Sequence, residues 1–248
     1  MVPNPGKILE IAGIENPIIG FYDVPDPKAF EPFTEPERCI FSSYSEWMKG
    51  YSIKISSGNS SCQGGGYWVG GTMPEWASNS SGKDLSPLEN FAKRLNKREG
   101  FKSSDHLMLQ WFENLNPYII KNGYVVIGPI KDSQYSYLKT ITFYVNPDQL
   151  SLLIHGAEYN NASIIDHPII TAFGSGCGQM ASLLGDSDSD IPRAVIGATD
   201  MAMREHIPSD ILAFTVNKPM YKQLCELVEN SFLHKHFWAR LKNRRTKA

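Results

Sequence analysis

"GYVVIGPIKDSQYSYLKTITFYV" (residues 123–145) decides the fold class. Its two ends, 123–130 and 138–145, are rich in β-branched and aromatic residues and read as strands. Seven residues separate them, too few for the long helical crossover that a regular parallel sheet repeats. Strands this close favour α+β over parallel α/β. The second strand runs into "NPDQLSLLIHGAEYNN" (146–161), a helix with Asn146 as cap and Pro147 in its first turn.

Outward from this block, "PIIGFYDV" (17–24) reads as a buried strand, "IFSSYSEWMKG" (40–50) as a short helix and "YSIKIS" (51–56) as an alternating strand. Residues 72–85 read as loop. "SPLENFAKRLNKREG" (86–100) carries a Ser-Pro-x-x-Glu start signal, and "SSDHLMLQWFENL" (103–115) follows as a second helix. The segments 167–175, 193–198 and 210–216 read as strands, with helices at 177–185 and 199–206. "KPMYKQLCELVENSFLHKHFWARLK" (218–242) reads as one long closing helix, with Leu224, Leu227, Val228 and Phe232 on its apolar stripe. No compositional break divides residues 1–248. The expectation is one α+β domain, a mixed sheet with helices packed on it and a long C-terminal helix.

Of the 248 residues, 42% are hydrophobic and 20% charged, which suits a folded core without disulfide staples. A net charge of −2 argues against nucleic acid as main partner. One local exception is the basic stretch 234–248, read as a solvated helical tail. No apolar run reaches membrane-spanning length, and the first residues lack the basic-then-apolar pattern of a leader. A cytoplasmic chain with reduced thiols and no membrane partner is expected.

Three sets of residues are candidates for chemistry. Cys39, Cys62 and Cys177 each lie in or beside a loop. Three thiolates could hold an iron–sulfur cluster or another thiolate-bound metal. They could equally be buried free thiols. Their convergence in space is expected. Cys225 sits beside the apolar stripe and is expected to be buried and inert.

The second set is glycine-rich. "NSSCQGGGYWVGG" (59–71) supplies Gly64, Gly65 and Gly66 as backbone that a ligand can approach, with Tyr67 and Trp68 as stacking walls. "FGSGCGQM" (173–180) supplies Gly174 and Gly176 at the opening of a helix. Neither stretch has dinucleotide or P-loop spacing. Tight strand–helix connections with aromatic packing are the alternative. The third set is Asp200 with Arg204, four residues apart: either an ion pair, or a carboxylate or phosphate clamp with Asp200 orienting the guanidinium. The histidines have no metal spacing, and no nucleophile-elbow serine is present.

Several blocks, in order, resemble domain-of-unknown-function family 169, a prokaryotic family without an established activity. They are "NPIIGFYD", "ERCIFSSYSEWMKGYSIKISSGNSSCQGGGYWVG", "FYVNPDQLSLLIHGAEYNNA", "TAFGSGCGQM" and "AVIGATDMAMREHIPSDILAFTV", and they span about residues 16–231. The resemblance includes three cysteine positions. Many members of that family carry a further cysteine pair just before the late arginine; here residues 198–203 read Ala, Thr, Asp, Met, Ala, Met.

The expected function is binding of a small molecule, metal or cofactor in a glycine-rich pocket, redox-linked through the three cysteines. A second expectation, from another class, is an enzyme with Cys177 as nucleophile and Arg204 gripping an acidic substrate. A third is a structural or interaction module whose glycines serve packing.

Overall fold

The computed structural model describes residues 3–56, 62–78, 85–171, 176–181, 189–227 and 231–245. Its strands are β1 (Ile19–Val24), β2 (Ile53–Ser56), β3 (Tyr124–Pro129), β4 (Leu138–Val145), β5 (Ile169–Thr171), β6 (Ala194–Gly197) and β7 (Leu212–Asn217). The helices are α1 (Gly6–Ala12), α2 (Tyr44–Met48), α3 (Gln63–Trp68), α4 (Glu75–Ser78), α5 (Pro87–Glu99), α6 (Asp105–Glu113), α7 (Pro147–Glu158), α8 (Gly176–Ala181), α9 (Met201–Arg204), α10 (Lys218–Glu226) and α11 (His236–Arg245). Among the described residues no helix is long and apolar enough to cross a membrane.

The strands form one seven-stranded sheet in the order β2-β3-β1-β4-β7-β6-β5. Every neighbouring pair is antiparallel except β5–β6. This is the expected mixed sheet of an α+β fold, with one topological difference. β3 and β4 do not pair with each other; both pair antiparallel with β1, so they run the same way on either side of it. Their connector returns across β1 as a 3-10 turn, Asp132–Tyr137. The Tyr22 hydroxyl, rising from β1, accepts a hydrogen bond from Lys131 N at 2.9 Å and pins the connector down.

Period-two alternation sorts the strand side chains onto two faces. On one face Tyr22, Val24, Ile141, Phe143, Phe214 and Val216 pack under α1, α7 and α10. The two longer helices there begin as their sequences dictate. Asn146 and Gln149 form a reciprocal capping box on α7, and Asn217 caps α10 ahead of Pro219. The other face carries Phe21, Ile53, Val125 and Ile127 beneath α2, α3, α5 and α6. Ser86 and Glu89 make the capping box of α5.

Under α8 that second face turns polar. Gln179 on α8 is 1% exposed; it donates to Thr215 Oγ1 at 3.0 Å and accepts from Ala198 N at 3.0 Å. Thr215 also bonds Thr142 at 2.9 Å across the strands. Gly197 leaves the room this network needs: a Cβ there would stand 1.8 Å from Gln179 Oε1. Gly197→Ala is therefore expected to push Gln179 off its partners and cost about 2 kcal/mol. Thermal denaturation checks this, and an unchanged melting temperature would show that Gln179 has slack.

Two sequence expectations are corrected. The long closing helix is divided into α10 and α11 by a 3-10 turn, Phe232–His234. Ser231 enters that turn extended and caps it with its own hydroxyl, and Lys235 leaves it extended at ψ 153°. Leu224 of α10, Leu227 at its end and Trp238 of α11 join one core cluster across the break, Trp238 donating to Ile11 O at 3.1 Å; Val228 lies outside the described residues. Within 72–85, read as loop, Glu75–Ser78 is a helical turn.

Candidate functional site

Cys39 and Cys62 stand at equivalent places in two different turns. Cys39 precedes the 3-10 turn Ile40–Ser43 in an extended conformation, and Cys62 precedes α3 in another. Cys62 caps its helix through sulfur, accepting from Gly65 N at 3.3 Å. The two turns meet because Gly65 has no side chain. A Cβ there would lie 2.6 Å from Ile40 Cδ1 and 3.3 Å from Cys62 Cβ. With Ile40 seated against α3, the thiols of residues 39 and 62 come into hydrogen-bonding contact.

The contact splits their acidities. Cys39 donates its S–H to Cys62, which brings the Cys62 thiol down to about 6; burial opposes this, while the Gly65 and Gly64 N–H groups and the Arg98 charge assist. Cys39 is pushed well up, first by giving that hydrogen bond and then by burial and the nearby Cys177. The pair therefore holds one proton between two sulfurs near neutral pH.

These thiols border an open cleft of about 820 Å³. Arg38, Arg94, Arg98 and His206 line it with them, and so do Glu37 and Glu205. Arg94 and Arg98 come from one face of α5, four residues apart. The Arg94 guanidinium rests 4.2 Å from the Trp76 ring centre, which holds its position without using its hydrogen-bond donors. Beyond Cys62 a smaller chamber of about 290 Å³ opens toward Gly66, Gly70 and Thr72. Cys62 is the cysteine that borders both spaces.

Cys177 lies on α8, 5% exposed, within the core cluster that includes Phe41, Met180 and Met203. Its charge is felt at Cys39, so the three cysteines share a neighbourhood, but this one faces the interior and the other two the cleft. Among the described residues no group of three or more His, Cys, Asp or Glu is placed to hold a metal ion. Cys225 is half-buried rather than buried and lines a separate cleft of about 1100 Å³ on the α10 face. Burial raises its thiol to about 12.

Within the glycine-rich stretch Gln63–Trp68 is a helix, α3, not an open cradle. Tyr67 and Trp68 are 5% and 1% exposed and pack into an aromatic cluster with Phe91 and Phe112; the Trp68 and Phe112 rings stack at 5.3 Å. They wall the core and not a ligand. Gly64 borders the cleft and Gly66 the smaller chamber, while Gly65 serves packing. Gly176 likewise admits Met203 and Phe41, whose Sδ and Cε2 atoms a Cβ would meet at 2.2 and 2.8 Å. Gly174 lies outside the described residues.

Asp200 and Arg204 form no ion pair among the described residues. Asp200 caps α9, accepting from Ala202 N at 2.9 Å, and reaches Gly176 N at 3.3 Å; burial raises its carboxyl. Arg204 Nη1 donates to Ile211 O and Ala198 O at 2.6 and 3.4 Å, and Nη2 to Ser209 O and Pro208 O at 2.9 and 3.1 Å. No donor pair is left for a ligand. Arg204, the candidate clamp, holds the 208–211 loop, and two of the three arginines at the thiols, Arg94 and Arg98, come instead from α5. Their i, i+4 spacing was the available signal.

A model of the family DUF169, an uncharacterised ArCR family, matches residues 7–227. The match takes in most of the chain, which belongs to that family. No curated protein and no solved structure matches it.

Proposed function

We propose that this DUF169 protein binds a small anionic molecule in the cleft over Cys39 and Cys62. One observation carries the reading: two cysteines 23 residues apart in sequence meet at a cleft lined by three arginines, Arg38, Arg94 and Arg98, against two carboxylates, Glu37 and Glu205. Guanidinium forks suit carboxylate or phosphate oxygens. The arginines are exposed, so each contact is screened and the affinity is modest, about millimolar for a simple anion. The cysteine-dependent enzyme reading moves with the geometry from Cys177 to Cys62, the sulfur that is both acidified and at the cleft.

Citrate, pyrophosphate and sulfate at about 20 mM are the test ligands. A millimolar site then stabilises by about 2 kcal/mol, a rise in melting temperature of about 4–8 °C. Arg94→Ala/Arg98→Ala removes exposed side chains and leaves the fold standing. Loss of the rise in this variant supports the cleft. An equal rise in both proteins would overturn it.

A further inference from the structure

We propose that Cys62 and Cys39 form a dithiol that reduces small, carboxylate-bearing disulfides by thiol–disulfide exchange. The proposal rests on the reading that the cleft takes small anions, and adds to it the substrate class and the reaction.

The geometry assigns the roles. Cys62 borders both the cleft and the chamber behind it, so a disulfide entering the cleft meets this sulfur with space on either side for its two halves. Its sulfur already accepts the Gly65 N–H, which favours the thiolate. Cys39 borders the cleft in contact with Cys62 and is the second sulfur within reach. Cys177 faces the core and Cys225 another face of the molecule, so neither competes. Arg94 would hold a carboxylate of the entering disulfide, and Arg98 another through its terminal nitrogens, since its Nε already donates to Glu99 at 2.6 Å.

The Cys62 thiolate attacks one sulfur of R–S–S–R, forming a mixed disulfide and releasing one R–S⁻. Cys39 no longer has a thiolate to donate to; it gives its proton to that leaving thiolate. Its sulfur then attacks Cys62 sulfur, closing the Cys39–Cys62 disulfide and releasing the second R–S⁻, which takes a proton from water. Two electrons pass from the protein dithiol to the small disulfide, which leaves as two thiols.

The test mixes reduced full-length protein, without air, with oxidised glutathione or with the cationic disulfide cystamine, and maps the products by mass spectrometry. The expected product is a Cys39–Cys62 disulfide, formed about tenfold faster from oxidised glutathione because arginines outnumber carboxylates along the cleft. Cys39→Ser should stall with glutathione on Cys62, and Cys62→Ser should leave Cys39 unmodified. A wild-type product that stays mixed at Cys62, or that joins Cys62 to Cys177, overturns the dithiol even if anions still raise the melting temperature. Equal rates from the two reagents overturn the anionic substrate class, and with it the binding reading, while an internal disulfide would still support the pair.

Discussion

Arg204→Ala is expected to lower the melting temperature by about 10 °C. The guanidinium ties the start of α9 to the loop before β7 through four backbone carbonyls, of Ala198, Pro208, Ser209 and Ile211. A hydrogen bond to a charged donor contributes about 1.5–3 kcal/mol alone, and four on one side chain are not additive, so about 3–5 kcal/mol is lost. At about 2–4 °C per kcal/mol for a chain of this size, the fall is large. Lysine offers one ammonium for four acceptors that diverge around a planar fork, so Arg204→Lys should recover less than half of the loss. Thermal melts of both variants decide the matter. A drop under about 2 °C for Arg204→Ala would show the carbonyls well served by water and the bracket unimportant.

Asp200 and Arg204 advertise an ion pair by their spacing, whereas the acceptors that hold the arginine are backbone oxygens of a returning loop, and backbone oxygens have no letter. Local signals elsewhere were legible for a physical reason. Ser86 with Pro87 and Glu89, and Asn146 with Pro147 and Gln149, announce helix starts because each satisfies its own orphan N–H groups within a few residues. Strand positions were readable from side chains that face one core or the other. The crossover between β3 and β4 was not, since a short 3-10 turn has no hydrophobic period to reveal it. "QGGGYW" defeats propensity outright: its three glycines disfavour a helix by about 1 kcal/mol each, and tertiary contact at Ile40 and the aromatic cluster overrides them.

The same override builds the site. Gly65 permits Ile40 to sit on α3, and that seat brings two cysteines together from separate loops. Their loop-edge placement was visible in the sequence; which two of three would share a cleft depended on α8 being buried, and nothing local to Cys177 shows that. The basic wall was written as Arg94 and Arg98 on a helix whose exposed face reads as ordinary solvation until the fold turns it toward the thiols.

Cys39→Ala is expected to move the titration of Cys62 upward by at least one unit, a tenfold loss of thiolate at any pH below the midpoint. In the wild-type protein, alkylation of Cys62 should show a midpoint at about 6 and level off above pH 7. The midpoint is the informative quantity, more than the rate. Lowering a thiol from 9.0 to about 6 multiplies its ionised fraction but weakens each thiolate by about 20-fold, so the two effects largely cancel near neutrality. Arg38, Arg94 and Arg98 favour the thiolate, Glu37 and Glu205 oppose it, and His206 also borders the cleft; a midpoint that persists in His206→Gln belongs to Cys62. Stability should follow with a definite sign. Cys62 titrates lower in the folded chain, so its contribution is complete above its unfolded value and fades as pH falls toward 6; Cys39 titrates higher, so its contribution is complete below that value and fades as pH rises. The pair therefore stabilises most near pH 9, with urea midpoints climbing from pH 6 to that point and falling beyond it. Cys39→Ala should flatten the climb. A midpoint for Cys62 unchanged by Cys39→Ala would mean that the helix N–H groups and Arg98 set its acidity alone, and that the two sulfurs do not share a proton.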